Sequence, residues 1–121
     1  MAKTIITVDD SKTIREMVSF TLQSAGYSVI EAIDGKHALE VLSGQKVDLI
    51  ITDINMPNMD GITLVKNLRA NDNFKFTPIL ILTTEGDDAR KQEGKNAGAT
   101  GWVVKPFNPE KLLQVIEKVC A

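Results

Sequence analysis

Five short apolar runs rich in β-branched residues alternate along this chain with stretches long enough to form helices. The runs cover residues 4–8, 28–32, 47–52, 78–82 and 101–104. Runs that are apolar throughout, such as Leu49-Ile50-Ile51, are typical of parallel strands covered by helices on both faces. Because parallel strands are joined by right-handed crossovers, this alternation predicts an α/β fold of the (βα)₅ type, with a doubly wound five-stranded parallel sheet.

Each apolar run is followed by a stretch of helical length, and four of these five stretches carry apolar residues or turn signals expected of amphipathic helices. The stretch after the fourth run differs. Residues 87–97 offer only Ala89 and Ala97 as apolar side chains. Gly94 lies inside this stretch, where glycine costs about 1 kcal/mol relative to alanine. A helix that is polar all round is weakly anchored. It is interpreted either as an exposed, frayed helix or as a mobile element that is easily repositioned.

Length, charge and cysteine content exclude several classes of protein. A chain of 121 residues has the length of one domain, here residues 1–121. A net charge of −2 gives no basic surface for nucleic acid. Cys120 is the single cysteine, so no disulfide framework is expected. The N-terminal apolar run is too short for a signal peptide or a membrane span, and we expect a cytoplasmic protein.

The residues at the ends of the predicted strands are the candidates for a functional site, because ligands of open parallel sheets bind there. These residues are Asp9 and Asp10, then Asp53, then Thr83 and Thr84, and finally Lys105. Taken singly, an aspartate after a strand often only caps the next helix. Asp60 is interpreted as such a cap, and Asp10 or Ser11 as the cap of the first helix. The lone His37 is predicted to be exposed and inert.

Taken together, the strand-end residues indicate a cation site. Two carboxylates about 5 Å apart repel each other by roughly 3 kcal/mol at an effective dielectric near 20. A hard divalent cation relieves that repulsion, and an all-oxygen ligand set suits Mg²⁺. With Lys105 opposite Asp53, the set meets the needs of phosphoryl transfer, because metal and ammonium neutralise the charge on the equatorial oxygens while a carboxylate attacks in line.

Four ordered motifs resemble the receiver domains of two-component response regulators. They are VDD (8–10), ITDINMPNMDG (51–61), LTTE (82–85) and VVKPF (103–107). The resemblance covers essentially the whole chain and implies a flavodoxin-like sheet in the order 2-1-3-4-5, as in chemotaxis receivers.

The resemblance also implies a role for each motif residue. Asp53 would be the phospho-acceptor. Mg²⁺, with Mn²⁺ able to substitute, would be bound by Asp10, Asp53 and the backbone carbonyl of Asn55, and by Asp9 through a water. Thr83 and Lys105 would hold phosphoryl oxygens, and the 105–106 peptide bond would be cis.

Two further features govern the signal in such receivers. The family couples its hydroxyl residue, here Thr83, to an aromatic residue, here Trp102 where tyrosine or phenylalanine is usual. Trp102 is therefore either this aromatic switch or a half-buried packing residue. Asn55 and Glu85 would flank the path of the hydrolytic water, which suggests fast self-dephosphorylation.

The resemblance implies a phosphohistidine on a sensor histidine kinase as the phosphoryl donor. The output would be binding to the flagellar motor switch in chemotaxis, or transfer to a histidine phosphotransferase in a phosphorelay, with a phosphatase as a further candidate partner. The chain is expected to be a monomeric signalling receiver rather than an enzyme. A haloacid-dehalogenase-type phosphatase needs a second aspartate where Asn55 stands. A nucleotide or flavin module is disfavoured because neither glycine-rich phosphate motif occurs.

Overall fold

The computed structural model describes residues 3–84, 88–105 and 107–120, with the side chains of 83 and 84 outside the described part. Five strands and five helices alternate along it. They are β1 (Thr4–Val8), α1 (Lys12–Ser24), β2 (Ser28–Ala32), α2 (Gly35–Leu42), β3 (Leu49–Asp53), α3 (Gly61–Arg69), β4 (Ile79–Thr84), α4 (Asp88–Ala97), β5 (Gly101–Lys105) and α5 (Pro109–Val119).

The five strands form one parallel sheet in the order β2-β1-β3-β4-β5. This confirms the predicted fold class and strand order. The strand boundaries differ from the sequence prediction by one or two residues: β3 begins at Leu49 rather than Val47, and β4 ends at Thr84 rather than Leu82. Asp53 and Lys105 are the last residues of their strands, so ladder pairing fixes the backbone of both.

Each face of the sheet packs against its own set of helices. On one face, Ile5, Leu49 and Leu82 pack with residues of α1 and α5, including Leu22 and Ile116. On the other face, Ile6, Ile50 and Ile81 belong to a cluster with residues of α2 and α3. Both faces of β3 are therefore buried, which explains the continuously apolar sequence of this strand.

Polar side chains cap four of the helices. Ser11 caps α1 and accepts a hydrogen bond from the Ile14 amide, and Asp60 caps α3 in the same way through Thr63. The interpretation of Asp60 as a cap is thereby confirmed. Asp34 caps α2 and Asn108 caps α5. These caps fix where the loops above the sheet end and the helices begin.

Gly94 permits the close approach of α4 to the sheet. It is the buried residue of that helix, and a Cβ built at this position would lie 2.5 Å from Ile81 Cδ1. Gly94 lowers the helix propensity of α4, as the sequence predicts, but its missing side chain also makes room for a strand residue. Within the described part of the chain, no helix is long and apolar enough to span a membrane.

Candidate functional site

The site lies at the carboxyl edge of the sheet, where the strand order reverses between β1 and β3. Asp9 and Asp10 follow β1, and Asp53 ends the neighbouring strand β3. One carboxylate oxygen from each of the three residues lies within 4.8 Å of the others. The structure therefore brings together the three predicted acidic ligands at the crevice where ligands of such sheets bind.

Asp53 is held rigidly and is almost buried, with 8% of its surface exposed. Its Oδ1 accepts a hydrogen bond from the Ile54 amide at 2.8 Å. Its backbone carbonyl accepts one from the Thr52 hydroxyl at 2.9 Å. Gly61 packs so closely on this carbonyl that a Cβ there would overlap it. The carboxylate thus has a fixed direction, and among the described residues no backbone group donates to its Oδ2.

Asp9 is fully buried beside Asp53. Its Oδ1 accepts a hydrogen bond from the Ser11 amide at 2.9 Å. Burial, and next the charge of Asp53, raise the pKa of the Asp9 carboxyl, against the lowering effects of the Ser11 amide and of Lys105. An added cation would offset this unfavourable burial of negative charge.

Lys105 joins the two buried carboxylates. Its Nζ lies 3.2 Å from Asp53 Oδ2 and 3.4 Å from Asp9 Oδ2. Because β4 lies between β5 and β3, the lysine side chain spans the end of β4 to reach them. The structure thus places a positive charge beside the candidate acceptor oxygen, where a transferring phosphoryl group would need it.

The donor set fits Mg²⁺. Asp9, Asp10 and Asp53 offer only oxygen ligands, and Asp10 is exposed where it can share the ion with water. Mg²⁺ favours such a site because it is bound by few carboxylates and retains several waters. Asn55, whose carbonyl is the fourth predicted ligand, lies exposed in the loop just after β3. These four residues would hold the ion.

Three of the predicted features fall wholly or partly outside the described residues. They are the Thr83 hydroxyl, Glu85, and the 105–106 peptide bond. The backbone of Thr83 is described and pairs with Val104 on β5. The roles given to these groups stay predictions.

Trp102 lies on β5 with 40% of its surface exposed. Lys91 Nζ of α4 stands 6.0 Å from the centre of its ring. The exposed ring contrasts with the half-buried packing residue considered above. Whether the ring moves inward with Thr83 stays a prediction.

Sequence reasoning missed two groups that hold the loops of the site. Arg15 Nη1 donates to the Asp9 carbonyl at 2.8 Å while its Nε pairs with Glu31 at 3.0 Å. His37 is half-buried rather than exposed as predicted, and its Nδ1 accepts a hydrogen bond from the Ile33 amide at 3.0 Å. That it is functionally inert stays a prediction. The Arg15 contacts have no signal in residue spacing, because they depend on how α1 packs beside the end of β1 and beside β2.

A five-stranded sheet of this order with an acidic cluster and a lysine at its carboxyl edge defines a class of signalling domain. Residues 5–117 match the family model of the response regulator receiver domain, and the chain belongs to that family.

The relatives in this family include chemotaxis proteins. The chain is 42% identical to the chemotaxis protein CheY1 of Helicobacter pylori, across 95% of this chain and 94% of the relative. It is 53% identical to the chemotaxis response regulator CheY4 of Vibrio cholerae, whose solved structure matches with a TM-score of 0.93 over 98% of this chain and 99% of that one.

A more distant match concerns a metal-bound receiver. The receiver domain of the sensor histidine kinase PA1611 from Pseudomonas aeruginosa was solved with a magnesium ion coordinated in its active-site cleft. It is 26% identical to this chain, with a TM-score of 0.92 over 99% of this chain and 98% of that one.

Proposed function

We propose that this receiver accepts a phosphoryl group on Asp53 from a phosphohistidine of a sensor histidine kinase, in a Mg²⁺-dependent reaction. The observation that carries the proposal is the position of Lys105 Nζ, which lies within 3.4 Å of an oxygen of both Asp9 and Asp53. An ammonium so placed meets the charge that develops on a phosphoryl group as it moves to Asp53.

In the transfer, a carboxylate oxygen of Asp53 attacks phosphorus. The P–O bond forms as the P–N bond to the donor imidazole breaks, and the imidazole nitrogen keeps the electron pair and takes up a proton. The Ile54 amide and the closely packed Gly61 hold the acceptor in line. Mg²⁺ bound by Asp10, Asp53, the Asn55 carbonyl and, through water, Asp9 would neutralise phosphoryl charge. The Thr83 hydroxyl would bind a further phosphoryl oxygen.

Phosphotransfer from a kinase tests this chemistry. A chemotaxis histidine kinase autophosphorylated with labelled ATP should lose its label to the wild-type chain in Mg²⁺ or Mn²⁺, and not in EDTA. Asp53→Asn, which keeps the size of the side chain, should leave the label on the kinase. Transfer to Asp53→Asn at the wild-type rate would contradict the assignment of the acceptor.

The output surface is proposed to be a groove formed by α4, β5 and α5. It combines three lysines, Lys91, Lys105 and Lys111, with the apolar side chains of Trp102, Val104 and Val115. Such a lining suits an amphipathic segment that carries acidic residues beside apolar ones. Lys105 belongs to both this groove and the acidic site, so phosphorylation can change the groove directly.

The partner proposed for this groove is the flagellar motor switch protein, on the strength of the similarity to chemotaxis proteins. A motor-switch peptide should bind more tightly when acetyl phosphate and Mg²⁺ are present. Lys111→Glu should weaken that binding by about 10-fold, since it reverses a charge that lines the groove. Lys118→Glu on the same helix, outside the groove lining, is the matched control. If neither phosphorylation nor Lys111→Glu alters peptide binding, the proposed output is wrong.

A phosphorelay intermediate is the alternative output. It would pass its phosphoryl group to a histidine phosphotransferase, and the label-transfer assay distinguishes the two. Rapid movement of label from Asp53 to a phosphotransferase, without phosphorylation-dependent peptide binding, would favour the relay. In either case the chain acts as a signalling receiver that assists its own modification, rather than as an enzyme on a separate substrate.

The lifetime of the phosphorylated form is proposed to depend on Asn55 and Glu85. Asn55 is exposed beside the acceptor strand, where a polar side chain can orient water. Exchanging both residues for bulky apolar ones should slow the loss of phosphate after acetyl phosphate is removed. An unchanged lifetime would contradict the role of these two side chains.

A further inference from the structure

The loop between β3 and α3, residues 54–60, carries the predicted metal ligand Asn55 and is anchored at both ends. At its start, the Ile54 amide donates to Asp53 Oδ1 at 2.8 Å. At its end, the Gly61 amide donates to the Ile54 carbonyl at 2.8 Å. These bonds close the base of the loop, and within its tip the Met59 amide donates to the Pro57 carbonyl at 2.7 Å.

The tip is held by Asn58, which has an unusual backbone conformation. Its φ is 68°, and among the described residues it is the non-glycine residue in the left-handed region. Asparagine tolerates this region better than most residues. Its side-chain Nδ2 donates a hydrogen bond to Asp34 Oδ2 at 2.8 Å, across 24 positions in sequence. The strained tip is therefore tied to a distant part of the chain.

Asp34, the acceptor of this hydrogen bond, is itself held in place by other contacts. It is buried, and its other oxygen, Oδ1, accepts a hydrogen bond from the His37 amide at 2.8 Å as the cap of α2. His37 in turn accepts a hydrogen bond from the Ile33 amide. Met59 packs against Gly35, where a Cβ would lie 2.9 Å from Met59 Cγ. The turn between β2 and α2 is thus internally bonded and in direct contact with the loop tip.

We propose that Asp34 and Asn58 are positioning residues for the metal site. Their hydrogen bond holds the 54–60 loop in the conformation that presents the Asn55 carbonyl to Mg²⁺. This inference rests on the proposed function, and neither residue is among the predicted ligands of the metal. This hydrogen bond links the turn after the edge strand β2 to the loop after β3, so residues at the outer edge of the sheet contribute to the Mg²⁺ affinity of the site.

An exchange of the two side chains tests the role of the hydrogen bond between Asn58 and Asp34. In Asn58→Asp, two carboxylates face each other and the bond is lost. In the double variant Asp34→Asn with Asn58→Asp, the new amide at position 34 can donate to the new carboxylate at position 58, while the amide oxygen still caps α2. The double variant has the net charge of the wild type. Asp34→Asn alone is the conservative control, because a rotated Asn58 amide can still bond to it.

Mg²⁺ affinity of the unphosphorylated, folded variants is the readout, measured by calorimetry with urea unfolding in parallel. Asn58→Asp should weaken Mg²⁺ binding by about 10-fold, as for other groups that orient a ligand, and the double variant should restore it. An added negative charge alone would strengthen Mg²⁺ binding, so a loss cannot come from charge.

Three outcomes separate the possibilities. Weaker binding in Asn58→Asp with recovery in the double variant supports the positioning role. Wild-type Mg²⁺ affinity in every variant, even with lowered stability, would mean that this hydrogen bond is only structural and would overturn the inference alone. Absence of Mg²⁺ binding in the wild type would overturn the proposed function together with it.

Discussion

Lys105 is the residue on which the acidic site depends for its positive charge. Lys105→Met removes the ammonium that lies 3.2 Å from Asp53 and 3.4 Å from Asp9. The rate of phosphorylation by acetyl phosphate should fall by about 100-fold, the effect typical of losing one group that stabilises transition-state charge. Lys111→Met, which removes a lysine that contacts neither carboxylate, should phosphorylate at the wild-type rate. If both substitutions lowered the phosphorylation rate by the same small factor, the proposed role of Lys105 in the transfer would be contradicted.

Asp9 gives the site a measurable pH dependence. Its pKa is raised, first by burial and then by Asp53, so its ionised form is disfavoured in the folded state. At pH 7 in EDTA, Asp9→Asn should therefore have a higher free energy of unfolding than the wild type. That difference should shrink as the pH falls through the raised pKa, because the wild-type carboxyl then becomes neutral as well.

Urea unfolding of the two proteins at a series of pH values measures this difference. Added Mg²⁺ should reduce or reverse it at pH 7, since the wild type retains the ligand. A difference that stays constant between neutral and acidic pH would contradict the buried, charged state of Asp9.

The individual site residues could be predicted from the sequence because the ends of the strands could be predicted. Asp9, Asp10, Asp53 and Lys105 each stand at the end of an apolar run, and a parallel sheet brings such ends to one edge. The supporting residues Arg15, Asp34 and Asn58 could not be placed in this way. Their partners lie on other loops, and no periodicity in the sequence reports how two loops meet.

At the scale of the element, the junction between β3 and α3 is the most constrained. Gly61 begins α3 directly against the carbonyl of Asp53, and a Cβ would overlap that carbonyl. Gly61→Ala should lower the free energy of unfolding by about 3 kcal/mol, at the upper end of overpacking costs, and should slow phosphorylation by displacing Asp53.

Gly101→Ala in β5 is the matched control for this change. A Cβ there would lie 3.5 Å from Leu80 Cδ2, which is an ordinary contact. Urea unfolding and phosphorylation by acetyl phosphate should show little change in the control. Equal stability of the two alanine variants would mean that the approach of α3 to β3 is not tight.

The sequence predicted the bounds of the strands accurately, but it did not predict how α4 packs on the sheet. Apolar runs mark a buried strand whatever its neighbours are, so all five appeared within one or two residues of their observed bounds. The polar sequence of α4 indicated weak anchoring, and its buried residue is indeed a glycine. That Gly94 makes room for Ile81 depends on the approach of the helix to the sheet, which the sequence does not encode locally.

At the scale of the whole molecule, Mg²⁺ binding should be coupled to folding. An ion that binds only the folded chain raises the free energy of unfolding by about 1.4 kcal/mol at ten times its dissociation constant. Thermal unfolding should therefore shift upward with Mg²⁺ in the wild type, and much less in Asp53→Asn. The control is KCl at the same ionic strength, free of Ca²⁺. If KCl raised the unfolding temperature as much as Mg²⁺ does, a specific Mg²⁺ site would be contradicted.

The central claim is that Asp53 accepts a phosphoryl group, and intact mass tests it most directly. The wild type and Asp53→Ala would be incubated with acetyl phosphate, with Mg²⁺ or with EDTA, while Trp102 fluorescence is followed. A gain of one phosphoryl group in the wild type only, and only with Mg²⁺, is the predicted result. A concurrent fluorescence change would support Trp102 as the residue that responds. No gain in the wild type, or an equal gain in Asp53→Ala, would contradict the claim.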